Sequence, residues 1–90
     1  MSVRIRLPAL FADRIDGVST VRVQGQTVTD ALKALAKQHP ELRTLVLGRE
    51  GAVNPMMAVF LNNKQLGSNQ LKSPVASDDE IEIVPAIDGG

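Results

Sequence analysis

Hydrophobic and polar positions alternate with a period of two near both ends of the chain, and with a period close to a helical turn in between. Val3, Ile5 and Leu7 alternate with Arg4 and Arg6, which predicts a strand over residues 2–7 with one buried face, stopped by Pro8. After a loop containing Asp16 and Gly17, Val21 and Val23 flank Arg22 in a second short alternation that ends at Gly25. The two strands are expected to pair as an antiparallel hairpin. Thr27 offers a hydroxyl cap with the carboxylate of Asp30 three residues on, and Val28, Ala31, Leu32 and Leu35 follow at helical spacing. This amphipathic helix should end near His39 and Pro40, with one further turn at Leu42, Leu45 and Val46. Gly48, Gly51, Asn54 and Pro55 then mark a loop.

Met57 to Leu61 is a continuous apolar run leading into Asn62, Asn63 and Lys64, with Leu66 beyond: a strand, a tight turn and a short return strand. Apolar residues on both parities suggest a strand covered on both faces. Ser77, Asp78, Asp79 and Glu80 form a turn, whose carboxylates read as solvated, and Ile81 and Ile83 alternate with Glu82 in the closing strand. Proline has no N–H to donate, so the ladder should end at Pro85. The order contains too few helices for a repeated strand–helix–strand series and suits an α+β fold, one mixed sheet with a helix on one face. In such a sheet the first and last strands can lie side by side at the centre, which sets Arg4 and Arg6 near Glu80 and Glu82 on the polar face.

Ten basic residues balance ten acidic ones, so the chain carries no basic footprint for nucleic acid. No signal-peptide pattern opens it, and no apolar run approaches the roughly 20 residues that span a bilayer. A soluble, cytoplasmic, single-domain protein without membrane association is expected. The absence of cysteine excludes a disulfide framework, a thiolate nucleophile and a thiolate-ligated metal, and the lone His39 has no second imidazole with which to hold one. With no bound cofactor, metal or catalytic dyad implied, the chain is not expected to be an enzyme by itself.

The chain ends in Asp88, Gly89 and Gly90. Two glycines at a given pair of positions arise by chance in roughly 0.5% of ordinary sequences. Lacking Cβ, such a tail can lie extended in a narrow channel and offer its carboxylate as a substrate. Residues 1–85 therefore divide from a flexible tail, 86–90, in which Ile87, Asp88 and Gly89 would thread a partner's site and Gly90 would react. From Pro85 to Gly90 the extended chain reaches about 17 Å at ~3.4 Å per residue. Docking of the globule falls to Pro85, at the tail's root, and to Phe60, one of two aromatics. For Phe60 the core is the favoured alternative, because its strand neighbours are apolar too. Ile87 is an apolar residue in a tail with little core to join, which favours a partner contact.

The order of elements, together with the ending Ile83-Val84-Pro85-Ala86-Ile87-Asp88-Gly89-Gly90, resembles the ubiquitin-like β-grasp sulfur carriers of the MoaD/ThiS family. The opening Arg4-Ile5-Arg6-Leu7-Pro8-Ala9-Leu10-Phe11 is similar to the MoaD-like and cysteine-synthase-associated branches. The resemblance implies a β-grasp with four to five strands and one main helix. It also implies a carrier whose Gly90 carboxylate is adenylated by an ATP-dependent, ubiquitin-activating-type enzyme and converted to a thiocarboxylate. A sulfur-accepting synthase would then take the sulfur, toward molybdopterin or cysteine. Two other functions stay open: a protein modifier joined through Gly90 to target lysines, and a passive interaction module.

Overall fold

The computed structural model describes residues 2–48 and 51–85. Five strands form one mixed sheet: β1 (Ser2–Arg6), β2 (Thr20–Gln24), β3 (Met57–Leu61), β4 (Lys64–Leu66) and β5 (Glu80–Pro85), in the spatial order β2-β1-β5-β3-β4. The first and last strands are central neighbours, as expected, and they run parallel, with Ile5 beside Ile81, Arg4 beside Glu80 and Arg6 beside Glu82. All other pairings are antiparallel. A parallel pair cannot be closed by a tight turn. The intervening chain crosses one face of the sheet, and the helices pack there.

The main helix, α2 (Val28–Gln38), lays Val28, Ala31, Leu32, Leu35 and Ala36 on that face. They meet Val3, Ile5, Val21, Val23, Val59, Ile81 and Ile83 in one core that holds no polar side chain among the described residues. Thr27 caps α2 as expected, its hydroxyl accepting from the Asp30 N–H at 3.1 Å. Two other first-turn N–H groups, which a helix leaves unpaired, find carbonyls in a strap formed by residues 71–75. Val28 donates to Ser73 at 3.0 Å and Thr29 to Leu71 at 2.9 Å. The strap returns a bond from the Val75 N–H to Gln26 at 3.0 Å and buries Val75. Sequence reading saw only an unassigned stretch here, because these bonds run through the backbone and leave no periodic trace.

The loop after β1 is also structured. Pro8 precedes a short helix, α1 (Ala9–Ala12), and its carbonyl accepts from Phe11 and Ala12 at 2.9 Å each. A single 3-10 turn, Asp13–Ile15, follows, and Phe11 and Ile15 close one end of the core. The predicted turn after the main helix is present as a 3-10 turn, Pro40–Leu42, running into α3 (Arg43–Val46), with Leu42 and Val46 buried. No helix among the described residues is long and apolar enough to cross a membrane.

Asn62 and Asn63 join β3 to β4 in a two-residue turn with φ of 49° and 72°. Both angles are positive, the requirement of a hairpin turn whose twist matches its strands, and asparagine tolerates them best after glycine. Asn62 also ties the hairpin to β5. Its Oδ1 accepts from the Glu80 N–H at 3.0 Å and its Nδ2 donates to Asp79 at 3.2 Å.

Gly25, between β2 and α2, is required for space. A Cβ there would sit 2.8 Å from the backbone nitrogen of Ala31 and 3.0 Å from its Cα. Gly25→Ala is expected to lower unfolding free energy by about 1–3 kcal/mol through this overlap, and Thr27→Ala by about 1 kcal/mol through the lost cap. Urea unfolding checks both, and a Gly25→Ala protein as stable as the parent would contradict the close approach.

Candidate docking face and tail root

Strand alternation sorts every sheet residue onto the core or onto the opposite, open face. The open face is assembled from β1 (Ser2, Arg4, Arg6), β2 (Thr20, Arg22, Gln24), β5 (Glu80, Glu82, Val84), β3 (Ala58, Phe60) and β4 (Gln65), since the residues between them are the ones that point into the core. Phe60 is therefore not a core residue. It is half-buried between two cross-strand neighbours, Glu82 on β5 and Gln65 on β4. The favoured core reading fails, and so does the expectation that β3 is covered on both faces. Two apolar parities look alike in sequence whether the second is covered or left open.

The face divides by chemistry. Its β1–β2 side is charged: Arg4 and Arg22 lie directly opposite each other, an unfavourable like-charge pairing. Asp78 offsets it, its carboxylate 3.4 Å from Arg22 and its carbonyl accepting from Arg4 at 3.4 Å. Asp78 is in the left-handed region at φ 70°, which aspartate tolerates better than most residues. The turn carboxylates are thus anchored as well as solvated: Asp79 also accepts from the Ala76 N–H at 2.8 Å. Arg6 meets Glu80 at 3.7 Å, with the arginine side chain half exposed, so this pair contributes at most about 1 kcal/mol.

Past Glu82, the β5–β3 side is apolar toward Pro85. Ala58 lies opposite Val84, and Pro85, the last described residue, pairs with Met57. Val84 is 38% exposed and Met56, one residue before β3, is 64% exposed. Sequence reading named Phe60 and Pro85 here and missed Ala58, Val84 and Met56. Val84 was detectable, since it occupies the parity of Glu80 and Glu82. Ile87, Asp88, Gly89 and Gly90 lie outside the described residues. Among the described residues no group of histidine and acidic side chains could hold a metal ion. The assembled surface is an apolar patch of Ala58, Phe60 and Val84 that ends at Pro85, with arginines and glutamates farther in.

The sequence matches the model of the ThiS family over residues 5–90. It is 28% identical to a protein of Archaeoglobus fulgidus assigned as a sulfur carrier, over the full length of both chains. It is 36% identical to small archaeal modifier protein 1 of Haloferax volcanii, over 90% of this chain and 95% of the relative. The crystal structure of that modifier superposes with a TM-score of 0.85, covering 100% of each chain at 33% identity. A chain of the BexX/CysO complex of Amycolatopsis orientalis shares the fold at a TM-score of 0.81, with 22% identity over 98% of this chain and 99% of that one.

The chain is a ubiquitin-like β-grasp of the sulfur-carrier and protein-modifier class. It belongs to the ThiS family. The proteins it resembles are small carriers and modifiers rather than catalysts.

The position of Phe60 has a thermodynamic consequence. Ile83→Ala, in the core, should cost about 2–5 kcal/mol, whereas Phe60→Ala on the open face should cost clearly less than that range. Equal losses for the two in urea unfolding would return Phe60 to the core.

Proposed function

We propose that Gly90, the last residue of the family match, presents its carboxylate to an ATP-dependent, ubiquitin-activating-type enzyme and thereafter carries sulfur as a thiocarboxylate. A carboxylate resists nucleophiles until one of its oxygens attacks the α-phosphorus of ATP and pyrophosphate leaves. In the acyl-adenylate the glycine carbonyl carries no side chain to hinder approach. A sulfide-level nucleophile from a donor adds to that carbon and AMP departs, leaving sulfur in place of oxygen. A synthase then consumes the thiocarboxylate in biosynthesis, with molybdopterin and cysteine as the favoured products.

The observation that supports this most is positional. The β5 ladder reaches Pro85 at the apolar end of the open face, and the sequence has no cysteine on which sulfur could travel. One partner surface can hold Ala58, Phe60 and Val84 while its active site takes the residues that follow Pro85. The Amycolatopsis structure contains a protein of this fold in a two-protein complex. Here the corresponding partners are the adenylating enzyme and the sulfur-accepting synthase, and ATP is used by the former rather than bound by the carrier.

A second reading is favoured by the likeness to an archaeal modifier protein. It uses the same acyl-adenylate, with a lysine amine of a target protein as the acceptor. Covalent adducts in cells that disappear when Gly90 is deleted would establish it.

Adenylation is read directly by exchange of labelled pyrophosphate into ATP. With the activating enzyme encoded in the same genome, the intact chain should support exchange and the chain lacking Gly90 should not. Exchange undiminished by the deletion contradicts the assignment of Gly90. Phe60→Asp combined with Val84→Asp should raise KM for the carrier about tenfold or more with little change in kcat, as expected of contacts that dock rather than react.

A further inference from the structure

A second recognition surface lies away from the open face. A cavity of about 590 Å³ sits between α2, residues 51–55 and residues 68–72, within the size range of binding sites. Val53, Pro55 and Leu71 supply much of its apolar wall, and Lys33 and Lys72 line it as well. A second cavity of about 290 Å³ is lined by Ala36, Pro40 and Leu47 together with Lys33, Lys37 and Arg43. Lys33 belongs to both, so they form one groove along α2. No open-face residue lines either cavity.

Four cations therefore border an apolar floor. Asp30 and Glu41, nearby in sequence, line neither cavity, and neither ion pair found among the described residues involves any of the four cations. Among the described residues these four cations have no ion-pair partner, in a protein whose total charge is balanced. Lys33 and Lys37 are one helical turn apart, with Cβ atoms about 5–6 Å from each other. Alternate side chains of an extended peptide are separated by roughly 6–7 Å. Two carboxylates at positions i and i+2 of a strand-like segment can meet both ammonium groups, while the intervening apolar side chain turns to the floor.

We infer that this groove is a docking site for an extended segment of a partner protein that alternates acidic with apolar residues. The alternatives fit less well. Single-stranded nucleic acid calls for aromatic platforms, but Phe11 is in the core and Phe60 is on the open face. A small inorganic anion would leave the apolar floor uncovered. A cavity of about 330 Å³ that shares Pro55, Ser68 and Leu71 with the groove reaches Ala58 and Gln65 at the edge of the open face, so a partner held along α2 lies next to one that engages the tail, which would couple the activating and accepting partners on a single carrier.

The probe is a heptapeptide alternating glutamate with leucine, and the control replaces each glutamate with lysine. In titrations of the isotopically labelled full chain, the acidic peptide should shift the amide signals of Lys33, Lys37, Val53 and Leu71 and leave those of Glu82 and Val84 in place. Lys33→Glu with Lys72→Glu should weaken binding about tenfold or more and flatten its salt dependence. Both residues are exposed, so the fold should be retained, and an unchanged amide spectrum elsewhere checks it. Equal binding of the lysine peptide, shifts confined to the open face, insensitivity to the double substitution, or tighter binding of an oligothymidylate at the same residues would each overturn the inference. Pyrophosphate exchange by the double variant should match the parent, so failure here is distinguishable from failure of the Gly90 assignment.

Discussion

The parallel pairing of β1 with β5 is the constraint on which the rest depends. It joins the two ends of the folded chain at the centre of the sheet, with Ile5 beside Ile81. Because such a pair cannot be closed by a tight turn, the chain crosses one face of the sheet between β2 and β3. α2 is trapped there, and Val28, Ala31, Leu32 and Leu35 become wholly buried. Among the described residues the opposite face has no covering element. Beyond Glu82 the last strand is held by β3 alone among the described residues, with Pro85 beside Met57.

Function follows from that division. Burial on one side supplies stability, so the other side is free to carry recognition chemistry at little structural cost. Ala58, Phe60 and Val84 would add little to the fold where they stand, and under the proposed function an apolar patch ending at Pro85 gives a partner something to grip. The arginines and carboxylates deeper in the face are largely matched to one another, through Arg6 with Glu80 and Arg22 with Asp78. They set register and keep the face from being uniformly apolar.

Much of this was legible in the amino-acid sequence where side-chain pattern and backbone agree. Val3, Ile5, Ile81 and Ile83 announce one-sided strands, and Thr27 with Asp30 announces the helix start. The expectation that the first and last strands can lie side by side at the centre, with Arg4 and Arg6 near Glu80 and Glu82, followed from the order of elements and agrees with the sheet. What escaped has a common physical cause. α1 is only four residues long, too short for a period to show. The strap over the start of α2 is held by backbone bonds to Ser73 and Leu71, which any side chain permits. Phe60 was misplaced because parity says which residues share a face and not which face is covered. The diglycine lies outside the described residues, so the chemistry read from it stays a proposal.

The central claim is that sulfur is carried on the Gly90 carbonyl while the globule serves as its handle. The most direct measurement is tandem mass spectrometry of the chain after incubation with the activating enzyme, ATP and a sulfur donor, followed by alkylation with a thiol reagent. Sulfur carriage at Gly90 predicts one alkyl group, mapped to that residue and absent when ATP is withheld. An unlabelled chain in a reaction where adenylation has occurred, or a label that maps away from Gly90, would contradict it.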